Sequence, residues 1–172
     1  MPIPKKLILI YTGNGKGKTT AALGLAIRSL RDNKKVILIQ FIKSEKESGE
    51  VSLKKILPKL EIKCFGKGFV GTGQCSVHCN VARKGIEFAK KIIKFNKYNI
   101  IILDEIFVAY NFKLIKLSEI INIIKLNKNK ILVLTGRGCP KSLYKFADLI
   151  TEMKEIKHPY KKGILAIKGV DY

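Results

Sequence analysis

The chain has 172 residues, 47% apolar and 27% charged, which fits one globular domain and excludes a disordered or collagen-like chain. A net charge of +21 would ordinarily suit a nucleic acid or a membrane surface, but the 34 basic residues include only Arg28, Arg31, Arg83 and Arg137 as arginines. No arginine cluster or aromatic-interleaved basic stripe occurs, and the Lys, Ile and Asn excess reads as drift from an AT-rich genome, so no dedicated nucleic-acid function is expected.

No run approaches the roughly 18 apolar residues of a membrane span, and the N-terminus lacks the pattern of a signal peptide. The expectation is a cytoplasmic protein without a membrane partner, its four cysteines reduced.

Taken along the chain, Leu7 to Tyr11, Val36 to Phe41, Ile100 to Leu103 and Ile131 to Thr135 are continuous apolar runs rich in β-branched residues. Such runs mark strands covered on both faces, at the centre of a parallel sheet. Weaker strands are expected at Glu61 to Phe65 and Asp148 to Met153, with an extended tail at Gly163 to Lys168. Helices are expected at Lys18 to Arg31, Val51 to Leu57, Val81 to Phe95, Leu117 to Leu126 and Lys141 to Ala147. The result is an α/β fold, one domain over residues 1–172 with a mostly parallel sheet flanked by helices. The polar stretch Lys43 to Gly49 and the glycine-rich Gly66 to Gly73 read as loops at strand ends, where such folds bind ligands.

The first strand runs into Thr12-Gly13-Asn14-Gly15-Lys16-Gly17-Lys18-Thr19-Thr20 and then into a strong helix former. Strand, glycine-rich turn, Lys-Thr and helix is the order of a P-loop, which makes Gly13 to Thr20 the candidate ATP site. Glycines let backbone N–H groups close around phosphate oxygens, the helix N-terminus favours negative charge, Lys18 neutralises it, and Thr19 can bind Mg²⁺. The usual spacing needs a glycine where Thr12 stands, so this loop is one residue short. The strand Ile100 to Leu103 ends in Asp104-Glu105, the form of a Walker B element whose carboxylates reach Mg²⁺.

Together, G-N-G-K-G-K-T-T, Q-F-I-K at Gln40 to Lys43, L-D-E at Leu103 to Glu105, T-G-R-G-C at Thr135 to Cys139 and the terminal G-V-D-Y resemble the P-loop corrinoid adenosyltransferases, in the same order over nearly the whole chain. The resemblance implies a RecA-type P-loop NTPase-like core, usually a homodimer, and a reaction unlike ATP hydrolysis. A cobalt(I) corrinoid attacks the 5′ carbon of ATP, a cobalt–carbon bond forms, and triphosphate leaves; an electron donor must supply the cobalt(I). The shortened loop fits a triphosphate held in the reversed direction. Lys16 and Lys18 then stabilise the leaving triphosphate, Arg28 resembles a position near the nucleoside, and Arg137 either assists the leaving group or fixes a loop. Gly68 and Phe69 match a segment whose aromatic presses on the lower corrin face. Two positions on, where well-known members carry tryptophan, this chain has Gly71.

Cys75, His78 and Cys79, with Cys64 upstream, supply the donors of a Cys₃His zinc site, and packed thiols are the other reading. Cys139 reads as a packed residue and His158 as a turn residue. Two other functions fit parts of the pattern. An ordinary P-loop ATPase or kinase would release phosphate or ADP, and a nucleic-acid-stimulated ATPase would bind DNA or RNA with steep salt dependence.

Overall fold

The computed structural model describes residues 6–68, 75–95, 97–167 and 169, without the side chains of 75 and 161. Six strands carry the fold: β1 (Leu7–Thr12), β2 (Val36–Gln40), β3 (Leu60–Cys64), β4 (Ile100–Asp104), β5 (Ile131–Thr135) and β6 (Leu149–Glu152). They form one sheet in the order β3-β2-β4-β5-β1-β6, with every pairing parallel. The helices are α1 (Lys18–Leu30), α2 (Cys75–Lys94), α3 (Ile106–Asn111) and α4 (Leu117–Leu126). This is the expected α/β architecture with helices on both faces.

Alternation along each strand explains why the central runs are apolar throughout. Ile8, Ile10, Ile37, Ile39, Ile101 and Leu103 face one core, where they meet Ala82, Ile86, Ala89 and Ile93 of α2 and Ile120, Ile123 and Ile124 of α4. The intervening residues Leu9, Val36, Leu38, Ile100, Ile102 and Val133 face a second core, closed by Ala22 and Ala26 of α1. Both alanines are fully buried, and their small side chains let α1 lie close to the sheet.

Several boundaries differ from expectation for local reasons. The segments expected as helices at 51–57 and 141–147 are 3₁₀ turns, Gly49–Lys55 and Lys141–Phe146. Helix α2 starts six residues before Val81, at Cys75, because nothing from Ser76 to Asn80 breaks a helix. Helix α3 was not anticipated; its six residues are too few to show a helical period. The described part of the tail, Gly163 to Ile167, has no regular structure where an extended segment was expected.

Candidate functional site

Strand parity builds the site. Gln40 and Asp104 follow Leu38 and Ile102 at an interval of two, so they project to the α1 face, at the carboxyl ends of their strands. Cys64 and Thr135 share that parity on β3 and β5. Register places Gln40 level with Cys64 on one side and with Asp104 on the other. Cys64, Gln40, Asp104 and Thr135 therefore form a row across four neighbouring strands, beneath the start of α1.

Asp104 is the centre of that row and has no exposed surface. Its Oδ1 accepts from Thr135 Oγ1 at 2.6 Å and Thr19 Oγ1 at 2.9 Å, and its Oδ2 accepts from Gln40 Nε2 at 3.2 Å. Burial pushes the carboxyl above its ordinary range, and these three bonds pull against the rise. Glu105 stands at φ +60°, the left-handed region that few non-glycine residues adopt, and its N–H donates to Thr135 Oγ1 at 3.0 Å. This turn ends β4, opens α3 and leaves Glu105 on the wall of a cavity. Burial first, and the neighbouring Asp104 second, raise the Glu105 carboxyl, against Lys18, Lys43 and Arg137.

The cavity, about 690 Å³, is lined by the cations Lys16, Lys18, Lys43 and Arg137 and the carboxylates Glu50 and Glu105. Thr19, Thr20, His158 and Gly169 also border it. Lys18 is 5% exposed, and its Nζ donates to the carbonyls of Gly13 at 2.8 Å and Gly15 at 2.5 Å. Burial lowers its pKa, with Glu105 and Asp104 acting the other way. A cation-rich cleft at a helix N-terminus suits a polyphosphate.

Gly13 and Gly15 shape the loop rather than line this cavity. The residues after β6 lie directly against them: Met153 N–H donates to Thr12 O at 2.8 Å, and Gly15 N–H donates to Met153 O at 2.7 Å. A Cβ on Gly13 would run into the Met153 carbonyl, and one on Gly15 would sit 2.7 Å from it. Asn14 borders a second cavity of about 640 Å³, with Arg137, Glu152, Lys154 and Glu155. Arg137 is carried on a braced loop, since Asn111 Nδ2 donates to its carbonyl at 2.9 Å and Cys139 N–H donates to Thr12 Oγ1 at 3.2 Å.

Arg28 is not brought to the cavity. It is exposed in the last turn of α1, ten residues beyond Lys18 and so about 15 Å along the axis; partial burial raises the pKa of the Tyr11 phenol, with the Arg28 charge acting the other way. Gly68, at φ +89°, donates its N–H to Ile42 O at 3.0 Å beside Glu47; Phe69 and Gly71 lie outside the described residues. His78 is buried, Cys79 packs against the α2 core, and the Cys64 thiol donates to Gln40 Oε1 at 3.4 Å. Among the described residues no three His, Cys, Asp or Glu side chains gather to hold a metal ion, and the Cys75 side chain lies outside that description.

Sequence reasoning missed the partners of Asp104. Gln40 and Thr135 opened two of the recognised motifs, but no role was read for them. It also missed Lys43 and Glu50, paired at 2.9 Å on the cavity wall, because a polar loop gives no signal of which side chains turn inward. His158, read as a turn residue, does cap the Pro159–Lys162 turn by accepting Tyr160 N–H at 3.2 Å, and it borders the cavity as well.

Comparison with known proteins agrees over the whole chain. Residues 4–172 match the model of the family described as ATP:corrinoid adenosyltransferase BtuR/CobO/CobP. A corrinoid adenosyltransferase of a Sinorhizobium species is 35% identical over 98% of this chain and 81% of its own length. The corrinoid adenosyltransferase of Escherichia coli K12 is 33% identical over 96% of this chain and 85% of its own. Corrinoid adenosyltransferase CobA of Salmonella typhimurium is 32% identical with the same coverage. Among solved structures, the flagellar accessory protein FlaH of Methanocaldococcus jannaschii shares the fold, with a TM-score of 0.55 at 17% identity over 87% of this chain and 72% of its own. No helix among the described residues is long and apolar enough to cross a membrane.

Proposed function

As the chain belongs to the ATP:corrinoid adenosyltransferase family, we propose that it transfers the 5′-deoxyadenosyl group of ATP to the cobalt(I) of a corrinoid. The cobalt(I) electron pair forms the cobalt–carbon bond, the bond from the 5′ carbon to the triphosphate oxygen breaks, and triphosphate leaves with that pair. Cobalt(I) is already a strong nucleophile, so the protein needs no general base; its tasks are alignment and stabilisation of the leaving group. The observation that carries this reading is the cavity at the shortened P-loop, where Lys16, Lys18, Lys43 and Arg137 converge.

Mg²⁺ fits the residues present. Thr19 and Glu105 line the cavity and Asp104 lies directly behind Thr19, so the three offer hard oxygen donors close together, and the rise that burial imposes on both carboxyls is the kind that a cation relieves. These three residues would hold the ion, which when bound would neutralise triphosphate charge. Lys16, Lys18 and Arg137 are assigned to the triphosphate directly. Gly68 and Phe69 are assigned to the corrinoid face on family resemblance, as are an external electron donor, a homodimer and a cytoplasmic location.

Phosphorus NMR of the products after incubation with ATP, Mg²⁺ and a chemically reduced corrinoid tests the reading. Inorganic triphosphate appearing in step with the alkylated corrinoid is the expected result. Phosphate or ADP instead would assign the chain to hydrolysis or phosphoryl transfer.

A further inference from the structure

Gln40 is an amide with no exposed surface at the end of an otherwise apolar strand. Burying an amide is unfavourable unless its hydrogen bonds are replaced, and here both ends are engaged. Nε2 donates to Asp104 Oδ2 at 3.2 Å, while Oε1 accepts from Ser48 Oγ at 2.6 Å and Cys64 Sγ at 3.4 Å. The orientation follows from the chemistry of Asp104: the reverse amide would set its oxygen against a carboxylate oxygen.

Ser48 carries the connection onward. It is itself 5% exposed, and its Oγ also lies 2.7 Å from Glu50 Oε2, which pairs with Lys43 Nζ through Oε1 at 2.9 Å. A continuous chain thus runs from Asp104 through Gln40 and Ser48 to the Lys43–Glu50 pair on the cavity wall. Burial acts to raise the Glu50 carboxyl, and its hydrogen bonds hold it below its ordinary value all the same; the one Ser48 proton is shared between Gln40 Oε1 and Glu50 Oε2.

We propose that Gln40 is a positioning residue for the metal-holding carboxylate: it fixes the rotation of Asp104 about its terminal bond, and Ser48 in turn fixes Gln40. Two hydroxyls, from Thr19 and Thr135, meet on Oδ1. The Gln40 bond to Oδ2 keeps that oxygen turned toward β2, so that Oδ1 stays directed at Thr19. Without it, the buried Oδ2 must turn to find another donor, and the oxygen presented to a cation beside Thr19 moves with it. Outer partners that orient a ligating carboxylate typically alter metal affinity by about 10–100-fold when removed. The inference rests on the assignment of Asp104 to Mg²⁺ made above.

The test is calorimetric titration of ATP into the full chain, with Mg²⁺ and with chelator, the readout being the factor by which Mg²⁺ strengthens ATP binding. Gln40→Leu should lower that factor about tenfold while ATP affinity in chelator stays within about twofold; Ser48→Ala should lower it about threefold. In the Gln40→Leu background, Ser48→Ala should add nothing, which two independent packing defects would not reproduce. A folded Gln40→Leu with the wild-type factor, or additive losses in the double variant, would overturn the proposal. Should Gln40→Leu fail to fold by circular dichroism, Ser48→Ala decides alone, and an unchanged factor overturns it. Asp104→Asn separates the two levels. If it lowers the factor and Gln40→Leu does not, only the role of Gln40 falls; if it also leaves the factor unchanged, the Mg²⁺ assignment falls and this inference with it.

Discussion

The Thr135 hydroxyl donates to Asp104 Oδ1 at 2.6 Å and accepts the N–H of Glu105 at 3.0 Å, so one side chain on β5 holds the Asp104 carboxylate and the backbone turn at Glu105. Thr135→Val keeps the shape and removes both bonds. It should cost about 1–3 kcal/mol of stability, because a buried carboxylate loses a donor and a left-handed turn loses its brace. It should also raise the Mg²⁺ concentration needed for half-maximal turnover. Denaturant unfolding and a Mg²⁺ titration of the rate check the two effects separately.

Lys18→Ala removes a buried cation from the cavity where the triphosphate charge would develop. Loss of one preorganised electrostatic partner typically costs about 3 kcal/mol at the transition state, roughly a hundredfold in rate. Turnover of the folded variant at saturating ATP should fall by that order. Turnover close to wild type would remove Lys18 from the reaction.

The glycines of the P-loop and of α1 should respond in opposite directions to alanine. Gly15→Ala places a Cβ 2.7 Å from the Met153 carbonyl and should push the segment after β6 off the loop, lowering both the melting temperature and ATP affinity. Gly24 lies within α1, where a Cβ meets nothing within 4 Å, so Gly24→Ala should stabilise by about 0.5–1 kcal/mol. Thermal melting of the two variants beside wild type checks the contrast.

Cys139 should be the slow thiol of the chain. Burial pushes its pKa up to about 12 from an ordinary value of 9.0, so its thiolate fraction at pH 8 falls about a thousandfold. Mass spectrometry after timed alkylation should find Cys139 modified last in the native protein and at an ordinary rate in urea. The sign of the linked stability follows: a raised folded pKa stabilises fully below the unfolded value near pH 9, and the contribution is lost as pH rises toward about 12. Cys139→Val should flatten that part of the stability profile.

What the sequence by itself determined was whatever is written locally. Continuous Ile, Leu and Val runs mark buried parallel strands because both faces of each strand must be apolar, and the strand, loop, Lys-Thr and helix order marks the P-loop because the phosphate contacts come from neighbouring residues. Asp104-Glu105 at the end of such a strand was legible for the same reason. Only the tertiary structure decided which distant residues attend that carboxylate. Gln40 and Thr135 reach it because β2 and β5 flank β4 and because the register lines up the ends of β2 and β4, and neither strand order nor register is encoded within any one segment. The same holds for Met153 against Gly13 and Gly15, a contact made by pairing β6 to β1 across 140 residues of chain. Arg28, placed near the nucleoside by family resemblance alone, lies ten residues beyond Lys18 on α1, about 15 Å along the helix axis. Chemistry carried by adjacent residues can be read from a sequence; chemistry assembled across strands needs the sheet that puts those strands side by side.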